Sequence, residues 1–212
     1  MRKTIVCATV LLAIASAALA ATLVIDDFED GLDSGWKNKS FDGHTAYEVV
    51  QKDGRKCLSA RADDSASGMY YKVEFDPKEY PWLAWSWKID GIIEKGNART
   101  KEGDDYAARV YVVFPSTWFW RTKAINYIWA NHLEKDEVLP NAYTDNAMMI
   151  AVETGDEQAG RWVSERRNLV EDYRRCFGGD PPKGGAVAVM TDTDDTGEFA
   201  RAWYDDIALK SE

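Results

Sequence analysis

From Trp82 to Asp90, and again from Asp105 to Phe114, side chains alternate one by one between two kinds of neighbour. Only an extended strand turns a period of two into one buried and one open face. In the first run Leu83, Trp85, Trp87 and Ile89 form the inward set. Trp82, Ala84, Ser86, Lys88 and Asp90 form the outward one. In the second run Tyr106, Ala108, Val110, Val112 and Phe114 belong inside, against Asp105, Ala107, Arg109, Tyr111 and Val113 on the other face. Short runs rich in Val, Ile, Tyr and Trp recur along the chain between turn signals such as Asp53-Gly54, Ser67-Gly68, Asp90-Gly91 and Gly184-Gly185. That spacing reads as an all-β sandwich or barrel. Strands are expected near 22–28, 46–51, 56–62, 68–75, 82–90, 105–114, 124–130, 147–154, 161–166, 185–191 and 199–210.

The two ends of the chain look alike. Ile25-Asp26-Asp27-Phe28-Glu29 stands near the start, and Ala202-Trp203-Tyr204-Asp205-Asp206-Ile207 near the finish. If these segments meet in one sheet, Asp27, Glu29 and Asp205 or Asp206 are placed to offer oxygens to a structural calcium, which takes six to eight of them. A second acidic stretch, Asp192 to Glu198, carries Gly197 at the sixth position of an EF-hand count but Trp203 at the twelfth. The bidentate acid that such a loop needs is missing, so an acidic connection between strands is the better description.

Residues 1–20 read as an export signal: Arg2 and Lys3 precede an apolar stretch that closes on Ala18-Leu19-Ala20. The expected site of action is therefore periplasmic or secreted, with no membrane span and a single domain over 21–212. Acids outnumber bases by 36 to 26, giving a net charge of −10, which becomes two units more negative once Arg2 and Lys3 are removed. Such a surface disfavours nucleic acid. Export permits a disulfide between Cys57 and Cys176, although two separate thiols fit the sequence equally well. One helix is expected after Asn168, where Asn168-Leu169-Val170-Glu171 resembles a capping box. It would place Leu169, Tyr173 and Cys176 or Phe177 on one face and stop at Gly178-Gly179 before Pro181-Pro182.

Several of these runs also carry a family likeness. Gly103 to Val112, Asn126-Tyr127-Ile128-Trp129-Ala130, Met190 to Gly197, Arg167-Asn168-Leu169, Asp172-Tyr173 and Ala202 to Ile207 together resemble the domain of unknown function 3047 family. That resemblance implies an exported bacterial protein and no particular activity. More loosely, the two ends are similar to those of jelly-roll carbohydrate-binding modules, which implies a jelly-roll-like antiparallel β-sandwich with one short surface helix.

Charged groups in mid-strand need partners. Arg109, Lys88, Asp105, Asn126 and Arg167 are candidates for a polar site on an open sheet face, and Asp192 and Asp194 are further candidate contacts. Asp105 and Arg109 lie about 13 Å apart along one strand, at roughly 3.3 Å per residue, so they cannot pair with each other. Trp82, Tyr111 or Trp129 would stack beneath a sugar, and a guanidinium would suit an acidic one. Glycan binding, with a glycan or cell-envelope component as partner, is the leading expectation. A polysaccharide-cleaving lyase or hydrolase on the same face is the first alternative, with Tyr111 beside Arg109 as a candidate base. A structural envelope protein with no small ligand, its buried charges forming an internal network, is the second. With only His44 and His132 in the chain, neither a zinc site nor a serine–histidine–acid triad has a signature.

Overall fold

The computed structural model describes residues 20–212, so all but the last residue of the expected export signal lies outside the described residues. Two sheets form the molecule. The six-stranded sheet runs β3 (Ala46–Lys52), β4 (Arg55–Asp63), β13 (Phe199–Lys210), β6 (Trp82–Ile89) and β11 (Val163–Asn168), with β1 (Thr22–Asp26) also on β13. The seven-stranded sheet runs β2 (Trp36–Asp42), β5 (Ala66–Phe75), β12 (Gly184–Asp192), β7 (Arg109–Phe114), β8 (Lys123–Ala130), β10 (Thr144–Thr154) and β9 (Val138–Asn141). Pairing is antiparallel throughout, except between β8 and β10, which run parallel. This is a jelly-roll-like β-sandwich with one α-helix among the described residues.

The like ends do meet: Thr22, Leu23 and Val24 pair with Lys210, Leu209 and Ala208. The long β13 pairs with β4 through Phe199 to Tyr204, and a bulge after Asp205 then passes that edge to β1. Between the sheets, the expected inward set of β6 meets β8 in an aromatic seam. Trp85 lies 5.2 Å from Tyr127, and Trp87 lies 5.6 Å from Trp129, ring centre to ring centre. Val110, Val112, Val187 and Val189 fill the same layer.

Two strands lacked a readable signal, and they are the two edges of the seven-stranded sheet. In β2 every residue after Trp36 is exposed, so no apolar face exists to alternate. The short β9 carries Pro140, which an edge tolerates because no partner needs its missing N–H. The expected inward Tyr106 is a correction. Residues 104–108 are irregular, and β7 begins only at Arg109. The break in alternation sends Tyr106 to the outer face, where it joins a small second core with Ile128, Ala130, Leu133 and Met149.

Helix α1 (Leu169–Phe177) starts as its cap requires: the Asn168 side-chain oxygen accepts from the Val170 and Glu171 amides at 3.0 and 3.2 Å. Leu169 and Tyr173 are buried against the main core, with Cys176 and Phe177 packed beside it. Cys57 in β4 and Cys176 in α1 are both free thiols, and burial pushes each up to about 12.

At the start of the chain the organising acid is Asp26, not its exposed neighbour Asp27. Buried Asp26 accepts from the Phe28 amide at 2.8 Å, the Asp33 amide at 3.2 Å and the Trp36 indole at 2.8 Å. Its loss orphans three donors, each of which costs free energy when left unpaired. Asp26→Ala is expected to lower the unfolding free energy by about 3 kcal/mol in urea titrations, and Asp27→Ala to change it by less than about 0.5 kcal/mol.

Candidate functional site

The outer face of the seven-stranded sheet carries the site, because its middle is paved with small residues. Gly68 on β5 pairs in register with Met190, Ala188 on β12 with Tyr111, and Ala124 on β8 with Val113. Strands β7 and β5 are separated by β12, so they lie about 9.6 Å apart at roughly 4.8 Å per strand. Even so, the Tyr111 hydroxyl comes within 3.1 Å of the point that a Cβ on Gly68 would occupy. The ring therefore lies along the sheet, across β12, instead of standing up from it. Only glycine at 68 and alanine at 188 leave room for this.

Above this floor is a cavity of about 550 Å³, lined by Phe41, Asp42, Tyr111, Asn126, Asn141 and Tyr143 together with the acids described next. Arg109 and Asp192 form a buried ion pair at its base, with side chains 9% and 3% exposed. The Arg109 guanidinium also lies 5.0 Å above the Tyr106 ring. Burial opposes the charge on Arg109, but Asp192 and then Asp104 outweigh it and hold the group protonated. The Tyr106 hydroxyl donates to Asp104 at 3.0 Å, and the Asn141 amide donates to the other Asp104 oxygen at 2.6 Å. Tyr143 closes the wall by donating to Asp195 at 2.7 Å. Five carboxylates thus face or flank one guanidinium. Burial, with Asp105 beside it, pushes Asp194 up to about 6.

Two polar groups at the base are left without a protein partner. Asn126 is 7% exposed and faces the cavity, yet its amide has no hydrogen-bond partner among the described residues. The Nε of Arg109 is buried and likewise unpartnered. Asn126 lines the cavity and can meet a molecule that enters it, whereas the Arg109 Nε is enclosed by protein.

Of the residues expected from the sequence, Arg109, Asn126, Tyr111, Asp192 and Asp194 come together here. Three do not. Lys88 lies on the outer face of the other sheet, pairing with Asp53 at 2.8 Å. Arg167, also on that sheet, makes a two-pronged contact with Asp172 at 3.1 and 2.8 Å and pairs with Asp136. Asp105 is fully buried behind the cavity, where it accepts from the Asp195 and Thr196 amides at 3.3 and 2.7 Å. Alternation fixed which face each residue took on its own strand, but not which sheet that strand joined. Trp82 lies under Arg166, and Trp129 belongs to the core, which leaves Tyr111 as the one stacking candidate of the three inside the cavity. The sequence reading missed Asp104, Asn141 and Tyr143, because a wall made by an irregular segment and an edge hairpin has no period to read.

The four terminal acids do not make a calcium ligand set. Arg55 stands between Asp205 and Asp206 at 3.1 and 3.3 Å. Asp27 and Glu29 instead accept from the Glu29 and Lys56 amides. Among the described residues, the one trio of acids close enough to share an ion is Asp105, Asp194 and Asp195. The bulge after Asp205 leaves both carboxylates on one Arg55 nitrogen, so an arginine takes up their charge.

These features define an open-faced β-sandwich with a polar, half-roofed cavity on one sheet. The chain belongs to a family described as a protein of unknown function, DUF3047, whose model matches residues 34–208. No curated protein matches it. Among solved structures it is similar to the family 11 carbohydrate-binding module of cellulosomal cellulase Lic26A-Cel5E of Clostridium thermocellum. There the identity is 14% over 91% of this chain and 95% of that one, with a TM-score of 0.47. It is also similar to the xyloglucanase domain of NopAA from Sinorhizobium fredii, at 9% identity over 92% of this chain and 100% of that one, with a TM-score of 0.48. Likenesses of this strength assign neither ligand nor activity.

Two tests follow from the electrostatics. Asp194 and Asp205 are each raised to about 6 and Glu165 to about 7, in each case chiefly by burial. A raised carboxyl binds its proton more tightly folded than unfolded, so its stabilising contribution is lost as pH climbs through the folded value. Urea stability is expected to fall between about pH 4 and pH 7, and Asp194→Asn to flatten the part of the curve near 6. A chelator is expected to shift Tm only through the trio Asp105, Asp194 and Asp195, since an ion pair already joins the terminal acids.

Proposed function

We propose that this protein binds a glycan on the outer face of its seven-stranded sheet, outside the cytoplasm. The observation that carries this is the Asn126 amide, without a protein partner on the lining of a cavity that has a flat-lying tyrosine on its floor. A sugar ring offers an apolar face for Tyr111 and a rim of hydroxyls. Each hydroxyl can donate to Asp42, Asp104 or Asp194 and accept from Asn126 or Asn141. The acidic lining favours a neutral unit here, because Arg109 is already held by Asp192 and four other carboxylates would repel an anion. Nucleic acid is disfavoured on the same ground. Among the described residues no helix is long and apolar enough to cross a membrane.

Cleavage is the weaker reading on this face. Burial pushes the Tyr111 hydroxyl up to about 12, so it holds its proton at neutral pH and makes a poor base for a lyase. A hydrolase would use the Asp194 carboxyl, and an assay for new reducing ends on any glycan that binds separates the two activities.

The decisive experiment is a glycan array followed by titration calorimetry on the hits. Tyr111→Ala is expected to weaken binding by about tenfold or more, equivalent to about 1.4 kcal/mol, while Tm stays close to that of the wild type. Gly68→Ala, whose new Cβ would press on the Tyr111 hydroxyl at 3.1 Å, is expected to weaken it in the same direction. Binding that survives Tyr111→Ala unchanged would remove the cavity from consideration.

A further inference from the structure

A second depression, of about 410 Å³, continues from the cavity along the same sheet face and shares Tyr111 with it. Tyr70, Val113, Pro115, Gly185 and Ala186 line it, and its charged residues are Lys39 of β2 and Lys72 of β5. No carboxylate lines it. Among the described residues, neither lysine has an acid within ion-pair distance, and Lys39 is engaged only through the Phe41 ring at 5.9 Å. In a chain where acids outnumber bases by 36 to 26, two cations outside any ion pair, on either side of a tyrosine, form a local reversal of sign.

We propose that this depression is an anion-recognising subsite. It would take a sugar unit bearing a carboxylate or sulfate, on the same linear glycan whose neutral unit occupies the cavity. The inference rests on the glycan reading above and adds to it a substrate class and a direction. From Arg109 to Pro115 the track along β7 is about 20 Å long, at roughly 3.3 Å per residue, so it spans more than one sugar. That length also exceeds the screening distance of about 8 Å at physiological salt. Lys72 stands in the Val113 row toward that far end. Lys39 stands in the Arg109 row but three strands across, roughly 14 Å from Arg109 at about 4.8 Å per strand. The lysines therefore form a side apart from Asp104, Asp192 and Asp194. An anionic substituent is attracted at the Lys39 and Lys72 side and repelled at the Asp104 and Asp194 side, which fixes the register and polarity of a bound chain. Tyr111 serves both halves, as the floor where the two depressions join. The expected guanidinium site for an acidic sugar is thereby relocated: Arg109 is neutralised within the protein, and exposed lysines two and three strands away take the role.

The test uses polysaccharide pairs that share a backbone and differ in charge: hydroxyethylcellulose with carboxymethylcellulose, methyl-esterified with de-esterified polygalacturonan, and arabinoxylan with glucuronoxylan. Affinity electrophoresis at low salt is run on the wild type, the K39Q/K72Q double variant and Tyr111→Ala. We expect the charged member of at least one pair to bind about fivefold or more tightly than its neutral partner. That preference should vanish in 0.5 M salt and in K39Q/K72Q, while Tyr111→Ala weakens both members. Both lysines are exposed, so K39Q/K72Q is expected to keep the wild-type Tm. Equal binding of neutral and charged members, unchanged in K39Q/K72Q, overturns the subsite and leaves the glycan reading standing. No retardation by any of the polysaccharides, together with an empty array, overturns both.

Discussion

Arg109 and Asp192 lie buried together at the base of the cavity, and neither charge could be there without the other. Removing one partner of such a pair strands the remaining charge, at a cost of about 3–5 kcal/mol. The pair joins neighbouring strands β7 and β12 and sets what surrounds it. Asp192 also accepts from the Tyr106 amide, which keeps the irregular segment 104–108 against the sheet. Tyr106 then lies under the guanidinium and donates to Asp104, Asp104 takes the Asn141 amide, and Tyr143 reaches Asp195. One ion pair thus begins a run of polar contacts that extends from the middle of the sheet to its edge hairpin and builds the cavity wall.

The same pair shapes the chemistry available to a ligand. With its charge met by Asp192, Arg109 is a structural cation, and the cavity that it underlies is acidic. Sugar hydroxyls suit such a lining because they donate as readily as they accept. Positive charge appears only further along the groove, where two strands bring lysines to the surface. The groove therefore differs in sign from one end to the other while keeping a continuous floor of glycine, alanine and tyrosine.

Much of the fold was legible from local pattern. The inward faces of β6 and β7 follow from a period of two, and the helix from an asparagine cap and a pair of glycines. The pairing of the chain's ends follows from two similar acid-bearing strands. The edge strands β2 and β9 were not legible, since an edge with both faces wet has no alternation and a proline lowers its strand character. For the site, Arg109 stands out as a mid-strand cation flanked by alanine, Tyr111 shares its outward face, and Asn126 lies in a run that carries the family likeness. Lys88, another mid-strand cation, and Arg167, from a run that carries the family likeness, lie on the other sheet, where they pair with Asp53 of a turn and Asp172 of the helix.

The sequence alone determined that the chain is a β-sandwich with one capped helix, an acidic surface and few residues suited to covalent chemistry. Each of those depends on neighbours within a few positions, where spacing and residue type are enough. Tertiary structure alone decided which strands share a sheet, and therefore which outward residues meet. It paired Arg109 with Asp192, laid Tyr111 across β12 toward Gly68, placed Arg55 between the terminal acids and gathered Lys39 with Lys72. Those contacts join residues as many as 151 positions apart, and strand order, which no local period encodes, is what brings them together.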